Sequence, residues 1–194
     1  MVQFCRLAFL VAAMLILTFC KKEEEKKEEI IPIDAQLLGD TDVELLGSQF
    51  WTTSASINGF INGRVEDISR SPTHSLKLSR TIADPLLSAN IMQNYQRQMP
   101  TGEDLTLTAH VKCVNVTGTG VAIAIVCLDD KFARMQIAAT DTISGLKGTF
   151  DWTPQSVVLQ DMKTNVRYLR VMMLYLPNTS GTAYFDDFSL THKP

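Results

Sequence analysis

Leu105-Thr-Leu-Thr-Ala-His-Val-Lys-Cys113 alternates between apolar and polar residues along its whole length. Successive side chains of a β-strand point to opposite faces, so this alternation predicts a strand with one buried and one solvated face. The buried set would be Leu105, Leu107, Ala109, Val111 and Cys113, and the solvated set Thr106, Thr108, His110 and Lys112. The local pattern of the chain is therefore β.

A second run, residues 121–128, is apolar on both faces and predicts a central strand that is covered on both sides. Thr117-Gly-Thr-Gly120 separates the two runs and is typical of a turn. Further short strands are predicted at residues 76–80, 135–139, 156–160, 168–176 and 182–190. Because Gly, Pro, Asn and Asp lie between them, the predicted fold class is all-β, an antiparallel sandwich or a barrel.

Residues 84–99 fit two different elements. Asp84 can cap a helix whose first position is Pro85. Apolar residues then recur at helical spacing at Leu87, Ile91, Tyr95 and Met99. The alternative is a strand across residues 91–98, and the pattern by itself leaves both interpretations open.

The N-terminus predicts a lipoprotein signal peptide over residues 1–19. Residues 7–19 form an almost uninterrupted apolar run, shorter than the about 20 residues that a membrane-spanning helix needs. A buried core helix is disfavoured because the run has no polar face. Leu17-Thr-Phe-Cys20 resembles a lipobox, although Phe19 replaces the usual small residue. We expect lipid on Cys20, such as palmitate, to anchor the protein in the cell envelope, at the outer membrane or the cell surface.

Residues 20–32 are predicted to be a charged, flexible tether, and residues 33–194 a single domain. Lys21-Lys-Glu-Glu-Glu-Lys-Lys-Glu-Glu29 has no apolar residue to bury, so it is typical of a solvated spacer. Lysines and acidic residues directly after a lipidated cysteine also resemble the surface-export signal of some bacteria with two membranes.

Cys113 and Cys127 are the cysteines outside the signal peptide and the lipid site. If their strands pair through the Gly118–Gly120 turn, the two thiols lie nearly opposite each other. An exported domain meets an oxidising compartment, which allows a disulfide that would stabilise the fold by about 3 kcal/mol. The alternative is two buried free thiols that pack as small apolar groups.

Several function classes find no support in the sequence. The net charge is −3 and no basic stripe carries interleaved aromatic residues, so nucleic acid is not an expected partner. Gly-x-Ser-x-Gly and His-Glu-x-x-His are absent, and His74, His110 and His192 lack metal-ligand spacing. Adjacent residues of a strand point to opposite faces, so Asp129-Asp130 is not a facing glycosidase pair. We therefore do not expect an enzyme.

Gly181-Thr-Ala-Tyr-Phe-Asp-Asp-Phe-Ser-Leu190 resembles the last strand of carbohydrate-binding modules of the family 4, 9 and 22 type, which have the galactose-binding-like jelly-roll fold. Other segments resemble the family in the same order: Asp40-Thr-Asp-Val-Glu44, Phe50-Trp-Thr-Thr53, Ser71-Pro-Thr-His-Ser-Leu-Lys-Leu78 and Pro100-Thr-Gly102. The resemblance covers residues 37–190. It implies an antiparallel jelly-roll sandwich and a strand, not a helix, at residues 91–98.

The resemblance also implies a structural calcium ion, with Glu44 and Asp186 as ligands and Asp187 adjacent. Calcium prefers several hard oxygen ligands, which these carboxylates and loop carbonyls can supply. The alternative is that the three residues are ordinary surface carboxylates.

Proteins of this family usually bind polysaccharide through exposed aromatic rings and polar side chains. Residues that alternate on predicted strands are the candidates for such a surface: Gln93, Tyr95, Arg97, His110, Tyr168 and Arg170. Trp51 and Trp152 are expected in the core. The expected function is that of a membrane-anchored lipoprotein with a non-catalytic carbohydrate-binding-like domain. Aromatic residues are only 8% of the chain. The alternative is therefore a scaffold or contact with another envelope protein.

Overall fold

The computed structural model describes residues 31–45, 50–55, 59–141 and 145–193. The predictions for the signal peptide, the lipid on Cys20 and most of the tether lie outside these residues. The described chain contains strands and no α-helix, so no helix within it is long and apolar enough to cross a membrane. The strands are β1 Thr52–Ala55, β2 Ile61–Val65, β3 Ser75–Arg80, β4 Ala89–Tyr95, β5 Asp104–Leu128, β6 Arg134–Ala139, β7 Leu146–Leu159, β8 Tyr168–Tyr175 and β9 Thr179–Lys193.

Two antiparallel sheets share the long strand β5. The first sheet has the order β2-β3-β9-β5-β7 and contains the first half of β5. The second sheet has the order β1-β4-β8-β5-β6 and contains the second half. The inner faces of both sheets meet in one apolar core. The predicted all-β antiparallel sandwich is confirmed.

The two halves of β5 behave as their sequence patterns predict. The apolar set from Leu105 to Cys113 is completely buried, and the polar positions between them are half-buried. Residues 121–128 are all buried and lie between β8 and β6 in the second sheet. The alternating half thus has one solvated face, and the uniformly apolar half is a central strand.

The turn predicted at Thr117–Gly120 is wrong, because β5 continues through Gly118 and Gly120 and passes from one sheet to the other. Positive φ angles of 52° at Asn115, 79° at Gly118 and 102° at Gly120 bend the strand there. A strand can switch sheets at such a bend or bulge. The residues that were expected to face each other therefore lie far apart along one strand.

The predicted disulfide is wrong for the same reason. Cys113 is opposite Ala183 of β9, whereas Cys127 is opposite Leu169 of β8. Both cysteines are free and buried. Burial raises the pKa of the Cys113 thiol to about 12 and that of the Cys127 thiol to about 11. They pack as small apolar groups, which was the alternative interpretation.

The ambiguous segment after Asp84 forms a strand. The Asp84 carboxylate accepts a hydrogen bond from the backbone N–H of Leu86 at 2.8 Å, which closes a turn instead of capping a helix. β4 then starts at Ala89 and pairs with β8, so that Ile91 lies opposite Met173. Pairing with β8, which is distant in sequence, outweighs the helical spacing of the apolar residues. The family resemblance had implied a strand in this segment.

The N-terminal part of the domain packs along β9. Asp34 donates a backbone hydrogen bond to His192 at 3.2 Å, and Leu37 donates one to Leu190 at 2.9 Å. Trp51 packs against the core with its ring centroid 4.4 Å from that of Phe188, as predicted. Trp152 is half-buried on β7.

Candidate functional site

The outer face of the second sheet is the candidate site, and we call it the second-sheet face. Burial alternates along β4 and β8, and the buried positions of both strands face the core. The residues between them therefore point outward. The second-sheet face comprises Met92 and Asn94 of β4, Ala122, Ala124, Val126 and Leu128 of β5, Ile137 of β6, and Tyr168, Arg170, Met172 and Leu174 of β8.

The centre of this face is lined by small and apolar side chains of β5. Ala122 and Ala124 are completely buried although they face outward. Their partners on β8 are Leu174 and Met172, which are much larger. The larger side chains therefore lie beside two buried alanines, and the middle of the second-sheet face is apolar.

A stacked pair of aromatic rings lies at one end of the second-sheet face. Phe132 and Tyr168 have ring centroids 4.3 Å apart with planes inclined by 20°. Phe132 is 57% exposed and stands on the loop between β5 and β6. The Asp129 carboxylate holds this loop by accepting backbone hydrogen bonds from Lys131 and Ala133, both at 2.8 Å. The fold thus presents an exposed aromatic surface on a fixed loop.

A polar pair lies beside the aromatic rings. Arg170 donates a hydrogen bond from Nε to the side-chain oxygen of Asn94 at 2.8 Å. Arg170 follows Tyr168 by one outward position on β8, which corresponds to roughly 7 Å. An aromatic surface next to a guanidinium and an amide combines ring stacking with directional hydrogen bonds. This combination suits a polyhydroxylated ring.

Of the six predicted ligand residues, Tyr168 and Arg170 share the second-sheet face. Gln93 does not, because it faces the core and is only 3% exposed. Its amide oxygen accepts from the backbone N–H of Gly39 at 2.8 Å, and its amide nitrogen donates to the Gly39 carbonyl at 2.9 Å. Gln93 was predicted to point outward, but the outward residues of β4 are its neighbours Met92 and Asn94. Gln93 is a structural clamp for the N-terminal segment.

The other three predicted ligand residues lie elsewhere. Tyr95 packs against the core, and its hydroxyl donates to the carbonyl of Gln98 at 3.0 Å. Arg97 is exposed on the loop after β4. His110 lies on the outer face of the first sheet, where its Nδ1 is buried and has no hydrogen-bond partner in the described part of the chain. The predicted set therefore does not form one site.

The expected calcium ligands form two separate clusters of hydrogen bonds. The Glu44 carboxylate accepts from the backbone N–H groups of Thr73 and His74 at 2.9 and 2.8 Å, from the Thr73 hydroxyl, and pairs with His74 Nδ1 at 2.8 Å. The Asp186 carboxylate accepts from the backbone N–H groups of Arg70, Ser71 and Asp187 at 2.8 to 2.9 Å. Asp187 pairs with Arg70.

This arrangement does not fit a calcium ion. Calcium takes six to eight oxygen ligands, whereas N–H and O–H donors surround both carboxylates. In the part of the chain that the structure describes, no group of three or more His, Cys, Asp or Glu side chains is placed to hold a metal ion. A cation would first have to displace the donors of Glu44 and Asp186.

The sequence analysis missed Asn94, the partner of Arg170, and Phe132, the partner of Tyr168. Asn94 is the outward neighbour of Gln93, and a buried Ile91 would have indicated the correct phase of β4. Phe132 lies on a loop, where no periodicity indicates which side chains are exposed. Its loop position after Asp129-Asp130-Lys131 is the only signal in the sequence.

Solved structures with the same fold include carbohydrate-binding modules. TmCBM61, solved in complex with β-1,4-galactotriose, is 13% identical and aligns over 82% of this chain and 99% of its own, with a TM-score of 0.54. The CBM22-1 xylan-binding domain of Paenibacillus barcinonensis Xyn10C is 12% identical over 84% of this chain and 97% of its own, with a TM-score of 0.53. The antiparallel jelly roll of these two structures is also the fold of this domain.

Enzymes share this fold as well. The Stig cyclase Fisc from Fischerella sp. TAU is 11% identical over 84% of this chain and 98% of its own, with a TM-score of 0.64. This chain spans only 21% of the enzymatically active domain of tailspike protein 4 of bacteriophage CBA120, at 14% identity and a TM-score of 0.59. At these identities the likeness is one of fold. No protein-family model and no curated protein sequence matches the chain.

Proposed function

We propose that this chain is a lipid-anchored envelope protein whose domain binds carbohydrate on the second-sheet face without catalysis. The observation that carries the proposal is the stacked Phe132–Tyr168 pair beside the Arg170–Asn94 pair. Fold neighbours that bind galactotriose and xylan support polysaccharide as the class of ligand. The sequence before residue 30 supports the anchor at Cys20.

The positions of the acidic residues near the second-sheet face support binding without catalysis. The Asp129 carboxylate is engaged by two backbone N–H groups of its own loop. Glycoside hydrolysis needs two carboxylates about 5 to 9 Å apart on either side of the bond. Among the residues that define the second-sheet face, none is acidic. Binding without turnover is the activity that this surface supports.

The test is a glycan array and an insoluble-polysaccharide pull-down with a soluble form of residues 31–194. We expect Tyr168→Ala and Arg170→Ala each to weaken binding roughly tenfold, because each removes a stacking or hydrogen-bonding group. His110→Ala, on the outer face of the first sheet, is the matched control and should bind as the wild type does. Loss on His110→Ala with retention on Tyr168→Ala would place the ligand on the other sheet.

Two further measurements belong to this test. Mass spectrometry of the bound polysaccharide should show no released oligosaccharide, and release would contradict the proposed lack of catalysis. In the full-length chain, Cys20→Ala should move the protein from the membrane fraction to the soluble fraction, because the thiol that carries the lipid is removed.

A second candidate is a protein-contact function, and the apolar side chains of the second-sheet face favour it. Met172 and Leu174 lie opposite Ala124 and Ala122, Met92 lies opposite Met172, and Ile137 of the same face is 48% exposed. Methionine side chains adapt to irregular partner surfaces. In this case polysaccharides would not bind, and a photo-cross-linker at position 172 would trap an envelope protein that a cross-linker at Lys112 on the first sheet does not.

A further inference from the structure

A separate cavity opens between the two sheets on the side where β1 and β2 lie. Its volume is about 120 Å³, and β1, β2, β3, β4 and the segment before β1 contribute to its wall. The apolar part of the wall consists of Val43, Trp51, Leu76 and Ile91. None of these residues belongs to the second-sheet face. The cavity is therefore a separate concave site, and a ligand there does not depend on the proposed function of the second-sheet face.

Arg64 of β2 is a charged residue in the wall of this cavity. Its Nη1 donates a hydrogen bond to the Leu45 carbonyl at 2.6 Å. Its Nε and Nη2 are buried and have no hydrogen-bond partner among the residues that the structure describes. Buried charged donors are normally paired, because removal from water without a partner is strongly unfavourable. Arg64 thus has two N–H donor groups for which the described residues supply no acceptor.

The two unpaired nitrogens are the pair that recognises a carboxylate. The N–H of Nε and one N–H of Nη2 point in the same direction from one edge of the guanidinium plane. Two parallel donors of this kind bind both oxygens of a carboxylate, which a lysine ammonium cannot reproduce. The geometry of the guanidinium therefore selects a planar anion with two acceptor oxygens.

The rest of the wall limits what such an anion can be. Asp40 also lines the cavity, with its Oδ1 accepting from the backbone N–H of Leu45 at 2.9 Å. A nearby carboxylate disfavours a multiply charged ligand such as phosphate more than a single carboxylate. The apolar side chains of Trp51 and Ile91 suit a carbon body attached to that carboxylate.

The backbone of the cavity wall is strained at Val43. This residue is completely buried and has a φ of 61°, which is rare for a β-branched side chain. Its N–H donates to the carbonyl of Asp40 at 3.2 Å. Strained backbone that the surrounding structure holds in place is concentrated at ligand clamps and active sites. The strain at Val43 is thus a second feature of this cavity, independent of Arg64, that is typical of a ligand site.

We propose that the cavity binds the carboxylate of a small organic acid, held side-on by Nε and Nη2 of Arg64, with its carbon body against Trp51. Two sources share this chemistry, an acidic sugar and an aliphatic acid. The probes are glucuronate and isobutyrate, and their neutral counterparts are glucose and isobutyramide. Binding to the purified full-length protein is measured by calorimetry and by the NMR signal of the Trp51 indole N–H.

We expect at least one acid to bind with a Kd in the range of about 1 mM or below, and its neutral counterpart not to bind. Arg64→Met keeps the length of the side chain and removes the donors, so affinity should fall at least tenfold. Arg64→Lys keeps the charge without the two parallel donors, so it should also lose affinity. Arg167→Met, an exposed arginine elsewhere, is the matched control and should bind normally.

Binding of glucuronate alone would identify an acidic sugar as the ligand class, and binding of isobutyrate alone an aliphatic acid. The proposal is overturned if neither acid binds, if the neutral counterparts bind equally well, or if Arg64→Met retains full affinity. If Arg64→Met fails to fold, the wild type still tests the proposal. The acids must then bind in preference to their neutral counterparts, and binding must shift the Trp51 signal.

Discussion

The carboxylate of Glu44 joins the N-terminal segment to the chain just before β3. Burial alone would raise its pKa, but hydrogen bonds from the side chains of Thr73 and His74 and from their backbone N–H groups outweigh this effect. Together they hold the pKa of Glu44 at about 2, compared with 4.5 for a free glutamate. The ionised form is therefore favoured in the folded state.

This pKa predicts a stability change in acid. Because the folded-state pKa lies below the unfolded-state value, Glu44 contributes stability above pH 4.5 that is lost as the pH falls from 4.5 towards 2. Urea midpoints measured across this range should fall less steeply for Glu44→Gln than for the wild type. The variant should already be less stable at pH 7.

The matched control for this experiment is Asp130→Asn, an exposed acid on a loop. Its profile should follow that of the wild type. The pKa of Asp186 shifts in the opposite direction, because burial raises it despite the hydrogen bonds that the carboxylate accepts. Asp186 is present in the wild type and in both variants, so it does not affect the comparison between them. Parallel profiles for Glu44→Gln and the wild type would show that Glu44 is not held in its ionised form.

At the scale of the element, β5 depends on a close approach at its bend. Gly118 has a φ of 79°, and a Cβ atom there would collide with the backbone carbonyl oxygen of Asn178. The same carbonyl accepts a hydrogen bond from the N–H of Thr119 at 3.3 Å. The loop between β8 and β9 is thus pressed against the point where β5 changes sheets.

Gly118→Ala and Gly148→Ala separate backbone strain from this collision. Gly148 on β7 has a φ of 96°, and a Cβ atom there would meet nothing within 4 Å. We expect Gly148→Ala to lower the free energy of unfolding by about 1 to 2 kcal/mol through strain alone. Gly118→Ala should lower it by on the order of 3 kcal/mol or more, because backbone must move. Equal losses in urea denaturation would refute the close approach.

At the scale of the whole molecule, hydrogen bonds connect the parts of the chain that the family resemblance assigns to a calcium ion. Asp186 of β9 holds the backbone of Arg70 and Ser71, and the Ser71 hydroxyl also lies 2.9 Å from the Asp42 carbonyl. Glu44 holds Thr73 and His74 in the same way. These hydrogen bonds thus join the first segment, the loop before β3 and the last strand.

Removal of calcium is therefore expected to leave the melting temperature unchanged. A native-state site with a Kd of 10 μM would add about 2.7 kcal/mol at 1 mM calcium. For a domain of this size, that would raise the Tm by roughly 5 °C or more. Calorimetric scans in EDTA, 1 mM calcium and 1 mM magnesium should coincide. A rise with calcium alone would show that the ion displaces the donors around Glu44 and Asp186.

Local sequence patterns predicted only part of the candidate site. Tyr168 and Arg170 were predicted correctly as outward residues because β8 alternates along its length. Gln93 and Tyr95 were assigned to the wrong face, since a polar glutamine is normally exposed and here bonds to Gly39 inside the sandwich. Asn94 reaches Arg170 across 76 residues of sequence, and no local pattern contains that contact.

The sequence by itself determined the all-β class, the half-buried first half of β5 and the covered second half, because side-chain alternation and its absence are local properties of a strand. The tertiary structure alone decided that β5 crosses between sheets without turning back, that Cys113 and Cys127 have different neighbours, and that residues 89–95 form a strand. These outcomes depend on pairing between strands distant in sequence, and pairing energy comes from partners that a local pattern does not include.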